Sequence, residues 1–164
     1  VMPFTIACGW RPGLLGRTTE LHARYYAQAF GFGPRFEAVV AGGLAEFVPR
    51  LRDTRNQIWA ALDGETVIGT IAIDGQDMAP AAHLRWFILH EAAQGTGIGR
   101  ALLQAALAHV DAQGFAETRL WTFAGLNPAR RLYERHGFAM ADERPGDQWG
   151  EPVMEQLFIR PRAS

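Results

Sequence analysis

Leu84-Arg85-Trp86-Phe87-Ile88-Leu89-His90-Glu91-Ala92-Ala93-Gln94-Gly95-Thr96-Gly97-Ile98-Gly99-Arg100 is a strand that runs into a glycine-rich turn and then opens a helix. From His83 to Leu89 the residues are apolar on both faces apart from Arg85, the pattern of a central strand covered on both sides. Closely spaced glycines let the backbone turn tightly and leave its amides uncovered by side chains. Those amides, added to the positive end of a helix, make an anion site suited to a phosphate or pyrophosphate. Arg100 adds a charge in the first turn.

Three glycine-rich loops bind such groups. A P-loop ends in Gly-Lys-Ser/Thr, whereas Gly97 is followed by Ile98-Gly99-Arg100. A dinucleotide loop needs G-x-G-x-x-G and an acid at the end of the next strand. Here the glycines are Gly95, Gly97 and Gly99, and the next strand ends at Phe123 without an acid. The third pattern, Gln/Arg-x-x-Gly-x-Gly/Ala, is met by Gln94, Gly97 and Gly99.

Upstream, Phe4 to Cys8 reads as a first strand. Thr18 and Thr19 offer a cap for a helix that runs to Phe30 and stops at Gly31, with Glu20 in its first turn. Pro34 precedes a second helix, Phe36 to Val48, closed by Pro49. Asn56–Leu62 and Thr66–Ile73 are strands joined by the hairpin signal Asp63-Gly64. Downstream, the helix from Gly97 to Gln113 shows the stripe Leu103, Ala106, Leu107 and Val110 and stops at Gly114. Thr118 to Phe123 is the next strand, and Asn127-Pro128 starts a helix that ends at His136-Gly137. Ala139–Arg144 and Val153–Arg160 complete the chain as an antiparallel pair whose loop carries Trp149. The order β-α-α-β-β-β-α-β-α-β-β predicts an α/β (α+β) domain over residues 1–164, with a mixed sheet and helices on both faces.

The sequence resembles the GNAT (GCN5-related N-acetyltransferase) family in that loop and in a second motif, Asn127-Pro128-Ala129-Arg130-Arg131-Leu132-Tyr133-Glu134-Arg135-His136-Gly137-Phe138. Ala129, Tyr133, Gly137 and Phe138 match the family's A-x-x-x-Tyr-x-x-x-Gly-Phe helix. The resemblance implies a GNAT fold and acetyl-CoA as co-substrate. The backbone of Phe87, Ile88 and Leu89 would pair with the pantetheine arm. Gln94, Gly95, Thr96, Gly97, Ile98, Gly99 and Arg100 would hold the pyrophosphate. Tyr133 would protonate the departing thiolate, since a phenol's pKa of about 10 lies above a thiol's of about 8.5. Many relatives place an Asn seven residues before this Tyr; Leu126 holds that position, and Asn127 stands one residue late. Arg130 lies in the first turn of the same helix, within reach of a phosphate.

The expected reaction is transfer of acetyl to a primary amine of a small molecule or peptide, by direct attack in a ternary complex. The alternative on the same fold is a non-catalytic acyl-CoA sensor or interaction module. Tyr25, Arg85 and Trp149 are the candidate acceptor-side residues, and Glu20, Asp74, Glu151 and Glu155 the candidate bases. Thr122-Phe123-Ala124-Gly125-Leu126 and Gln148-Trp149-Gly150 also resemble acetyltransferase domains fused to winged-helix regulators, but no winged-helix pattern occurs here.

Other classes find little support. Net charge is -1 with no long basic run, so nucleic acid is not an expected partner. No apolar run approaches the roughly 20 residues of a membrane helix. His90-Glu91-Ala92-Ala93-Gln94 lacks the second His of the zinc motif, so no metal is expected. Cys8 is the only cysteine; it is expected as a buried thiol, and its lack of a disulfide partner suits a reducing, cytoplasmic setting. Relatives often pair, which makes a homodimer one expectation.

Overall fold

The computed structural model describes residues 3–163. Strand β1 is Thr5–Cys8, and two helices follow, α1 (Leu14–Phe30) and α2 (Pro34–Phe47). A short 3-10 turn over Val48–Arg52 leads into β2 (Gln57–Asp63), β3 (Thr66–Asp74) and β4 (Ala82–Leu89). Helix α3 (Ile98–Gln113), β5 (Glu117–Phe123), α4 (Asn127–Arg135), β6 (Ala139–Gly146) and β7 (Val153–Pro161) complete the chain. The order of elements is the one read from the sequence.

The strands form one sheet in the order β1-β2-β3-β4-β5-β7-β6. Only β4 and β5 run parallel, because α3 carries the chain across one face between them. Alternation along β3 sorts side chains to the two faces. Ile71 and Ile73 join the core under α3, with Leu102, Leu103, Ala106 and Val110. Ala72 joins the opposite layer, with Leu14 and Leu21 of α1, Phe47 of α2 and Ile88. Burying each Leu or Ile contributes about 1.5–3 kcal/mol, so α3 is anchored mainly by this stripe.

Two local expectations are corrected. Helix α1 starts at Leu14, four residues before the expected cap, from a left-handed Gly13 (φ +86°). Leu14 is fully buried, and docking it extends the helix upstream. Thr18 and Thr19 therefore sit inside the helix, their hydroxyls donating to the Leu14 and Leu15 carbonyls at 2.7 and 2.9 Å. Cys8, expected to be buried, is exposed at the end of β1. That strand forms the sheet edge, paired only with β2.

Candidate active site

Strand β4 meets β5 only at Ala82↔Thr118 and His83↔Arg119. Beyond His83 the two parallel strands part, and the β5-facing backbone of β4 is left without a strand partner. A bulge helps to turn β4 away. Against β3 the register runs Thr70↔Ile88 and then Ala72↔Arg85, so β4 carries one extra residue. Trp86 at this bulge is left-handed, with φ +50°. The Thr70 hydroxyl donates to the Trp86 carbonyl at 2.9 Å and fixes the distortion.

A cavity of about 970 Å³ occupies the split. At one end lies the glycine-rich turn. Gly97 caps α3 with φ +88°, a conformation costly for any residue with a Cβ. The first turn of α3 presses on β4 so closely that a Cβ on Gly99 would meet Leu89 at 3.2 Å and Phe87 at 3.6 Å. The first helical amide with an acceptor is that of Ala101, bonded to the Gly97 carbonyl at 3.0 Å. Among the described residues, the amides from Gly95 to Arg100 have no protein acceptor. Arg100 and Arg135 line the cavity, and among the described residues neither forms an ion pair. Free amides, a helix N-terminus and two arginines suit a pyrophosphate.

Tyr133 of α4 stands on the wall between the two ends. It is buried against Phe87, Phe138 and Phe158, with ring centroids 6.1, 5.8 and 6.4 Å away. Its hydroxyl has no hydrogen-bond partner among the described residues. Burial pushes the phenol above its ordinary pKa, so it holds its proton at neutral pH.

The far end is built by α1, α2, the end of β5 and the β6–β7 loop. Tyr26 packs on Phe36 at 4.8 Å and Phe123 at 5.8 Å, and Phe123 packs on Trp149 at 5.6 Å. Burial pushes the Tyr26 phenol up, and the phenols of Tyr133 and Tyr25 push it the same way. His22 lines the same end; its Nδ1–H donates to the Thr18 carbonyl at 2.8 Å. Burial drives its pKa down to about 4, so the ring is neutral.

Most of the residues singled out in the sequence meet here. Phe87, Ile88, Leu89, Gln94, Gly95, Gly97, Gly99, Arg100, Tyr133, Tyr25, Arg85 and Trp149 all line the cavity. The side chains of Thr96, Ile98, Asn127 and Arg130 are not part of the lining. The Thr96 hydroxyl donates to the Ala93 carbonyl, and Ile98 is fully buried in the core under α3. Asn127 is the first residue of α4; Leu126, at its cap position, lines the cavity instead. Arg130 lies over the Phe158 ring and pairs with Glu134 at 3.4 Å.

None of the four carboxylates considered as bases is in the lining. Glu20 is held by Arg17 and Arg24 at 2.8 and 3.0 Å. Asp74 is fully buried between Arg50 at 2.6 Å and Arg85 at 3.1 Å. Burial works to raise its pKa, but the Arg50 bond and the backbone amides of Gln76 and Asp77 hold it well below the carboxylate range. Glu155 is buried and accepts from the backbone N–H and the side chain of Gln148, both at 2.9 Å, which fixes the turn that presents Trp149. Glu151 lies outside the cavity. His90 does local work too, its Nδ1 accepting from the Ala92 amide at 3.0 Å. Among the described residues no cluster of His, Cys, Asp or Glu is placed to hold a metal ion, and no helix is long and apolar enough to cross a membrane.

A split sheet with a loop of free amides beside it is the architecture of an acyl-CoA acyltransferase. The family model of the acetyltransferase (GNAT) family matches residues 17–138, and the chain belongs to that family, whose acetyl donor is acetyl-CoA. A mycothiol acetyltransferase of Actinosynnema mirum is 29% identical over 137 residues, 76% of this chain and 42% of that protein. The chain thus spans less than half the length of this curated relative. A structure from Salmonella typhimurium, described as an acetyltransferase with its cofactor acetyl-CoA, superposes with a TM-score of 0.78. It is 15% identical, over 99% of this chain and 95% of that one. The ribosomal-protein-S18-alanine N-acetyltransferase of Escherichia coli gives a TM-score of 0.71 at 20% identity, over 99% and 96% of the two chains. At such identities the likeness establishes the fold.

Proposed function

We propose that the chain is an N-acetyltransferase, one domain over residues 1–164, that moves acetyl from acetyl-CoA to a primary amine of a small molecule or peptide. The observation that carries this reading is the parting of β4 from β5 beside the unbonded amides of Gly95–Arg100. The names of two of the relatives, an S18-alanine N-acetyltransferase and a mycothiol acetyltransferase, agree with it. The lone exposed Cys8 agrees with a cytoplasmic setting.

Bound acetyl-CoA supplies an activated thioester: the amine nitrogen bonds to the acetyl carbon, and the carbon–sulfur bond breaks with its electron pair on sulfur. The loop amides and Arg100 hold the pyrophosphate. Ile88 is taken up by its pairing with Thr70 of β3, so the β5-facing backbone of its neighbours Phe87 and Leu89 aligns the arm, and the Leu89 N–H bonds the acetyl oxygen as charge gathers there. Holding both reactants this way lowers a barrier by about 7–11 kcal/mol at best. Tyr133, kept protonated by burial, gives its proton to the sulfur and recovers one from solvent. The lining offers no carboxylate to take the amine's proton. Water in the cavity carries it away, and the amine that reacts is the neutral fraction.

The test is calorimetry with CoA and with ATP, beside thiol release from acetyl-CoA over an amine panel. CoA binding with turnover is expected. CoA binding with no turnover on any amine would favour the sensor, and no CoA binding would overturn the reading.

A further inference from the structure

We propose that the acceptor is a primary amine carried on an aromatic or comparably flat apolar group, seated among the rings of Tyr26, Phe36, Phe123 and Trp149. The inference rests on the acetyltransferase reading and adds the substrate class. Three observations carry it.

The first is the wall itself. These four side chains come from α1, α2, β5 and the β6–β7 loop, and all line one end of the cavity. Their ring separations, 4.8 to 5.8 Å, are those of tilted aromatic packing; Phe36 and Phe123 are buried in it, while Tyr26 and Trp149 keep part of their surface exposed for a further flat group. The apolar character continues to the rim, where Val39 is 40% exposed while lining the cavity.

The second is charge. No Asp or Glu lines the cavity at either end, whereas Arg85, Arg100 and Arg135 do. A polyamine's remaining ammonium groups would find no carboxylate counterion in the lining among the described residues. The Trp86 ring, which could otherwise attract an ammonium, already carries the Arg85 guanidinium 3.9 Å from its centroid. Arg85 is itself engaged by Asp74 at 3.1 Å and Asp77 at 3.4 Å, so a substrate carboxylate finds it neutralised.

The third is polarity. The hydrogen-bonding groups among the rings are mostly single donors or acceptors: the phenols of Tyr25 and Tyr26, the Thr122 hydroxyl, the indole N–H groups of Trp121 and Trp149, His22, whose Nδ1 is bonded to the Thr18 carbonyl, and Gln148, which is committed to Glu155. That set cannot satisfy the hydroxyls of an amino sugar, each of which would lose water on entry. It does suffice for one amine. Tyr25, Tyr26 and Tyr133 all line the cavity, and Tyr25 meets Tyr26 edge-on at 5.0 Å, so the acceptor's nitrogen has phenols within the same space.

The experiment compares 2-phenylethylamine and tryptamine with spermidine, glucosamine and a tripeptide with N-terminal alanine. Products are identified by mass spectrometry, and amine binding to the CoA-saturated protein is followed by calorimetry. The expected result is a kcat/KM at least 30-fold higher for the aromatic amines. Trp149→Ala should then raise their KM about tenfold and weaken their binding, with CoA affinity unchanged. Phe123→Leu, a smaller change, should do the same to a lesser degree and guards against misfolding of the first variant. A preference for spermidine, glucosamine or the tripeptide, with CoA binding intact, overturns the inference and leaves the acetyltransferase reading standing. Aromatic selectivity undiminished in both variants overturns the assignment to these rings. Failure to bind CoA overturns the reading beneath.

Discussion

The hydroxyl of Thr70 in β3 donates a 2.9 Å hydrogen bond to the carbonyl of Trp86, the only left-handed non-glycine residue among those described. Thr70 is fully buried, so water cannot replace the bond. Thr70→Val keeps the shape and removes the donor. We expect a loss of about 1–2 kcal/mol in urea unfolding. We also expect weaker CoA binding by calorimetry, because the bulge that turns β4 from β5 loses its fastening. Unchanged CoA affinity in a folded variant would show that the bulge holds without it.

Gly97→Ala separates strain from site chemistry. A Cβ there meets open space, so the cost is the backbone at φ +88°, about 1–2 kcal/mol. Gly64→Ala, in the β2–β3 turn at φ +60°, meets open space as well and serves as the control. Both variants should melt lower, and only Gly97→Ala should weaken CoA binding. Equal CoA affinity in the two would remove the loop amides from the binding site.

Tyr133→Phe removes a hydroxyl that has no protein partner, so the fold should tolerate it. Turnover should fall by about 10²-fold, the lower range for a lost proton donor, with little change in CoA affinity. An unaltered kcat would end the acid role.

His22 makes stability depend on pH. Its folded pKa, about 4, lies below the ordinary 6.5 because the ring is buried, an effect only partly offset by its bond to Thr18. The unfolded chain therefore takes up a proton that the folded chain refuses. Stability is complete above pH 6.5 and falls as the pH drops towards 4, by roughly 3 kcal/mol in all. Urea unfolding across that window should show the slope, and His22→Phe should flatten it. A wild-type slope retained in the variant would place the titration elsewhere.

The order of elements was legible because its signals are local: Asp63-Gly64 for a hairpin, Pro128 for a helix start, Gly114 for a stop. The start of α1 was not, because Thr18-Thr19 has the chemistry of a cap while the burial of Leu14 depends on the distant β-layer. The glycine-rich end of the cavity lies in one continuous stretch, and its turn was legible from its glycines. The bulge left no mark. Trp86 has no intrinsic taste for a positive φ, and its anchor stands 16 residues away. The aromatic end joins residues from Tyr26 to Trp149, and no spacing rule links them. Nothing in the sequence but their acidity marks the candidate bases. What decides against Asp74 and Glu20 is arginine, and for Asp74 the partners Arg85 and Arg50 stand 11 and 24 residues away in sequence.

The short pairing of β4 with β5 also divides the sheet into two leaves, β1–β4 and β5–β7, stitched by two residue pairs at one end. Elsewhere side chains join them: Leu120 and Phe158 of one leaf share the core under α3 with Ile71 and Leu84 of the other, and on the opposite side Tyr26 of α1 packs on Phe123. An occupant that offered amide groups to β4 would act as a temporary eighth strand. If the donor binds as proposed, amide hydrogen exchange should slow along the facing edge of β4. On the proposed function, catalytic readiness and mechanical cohesion would arrive in the same event.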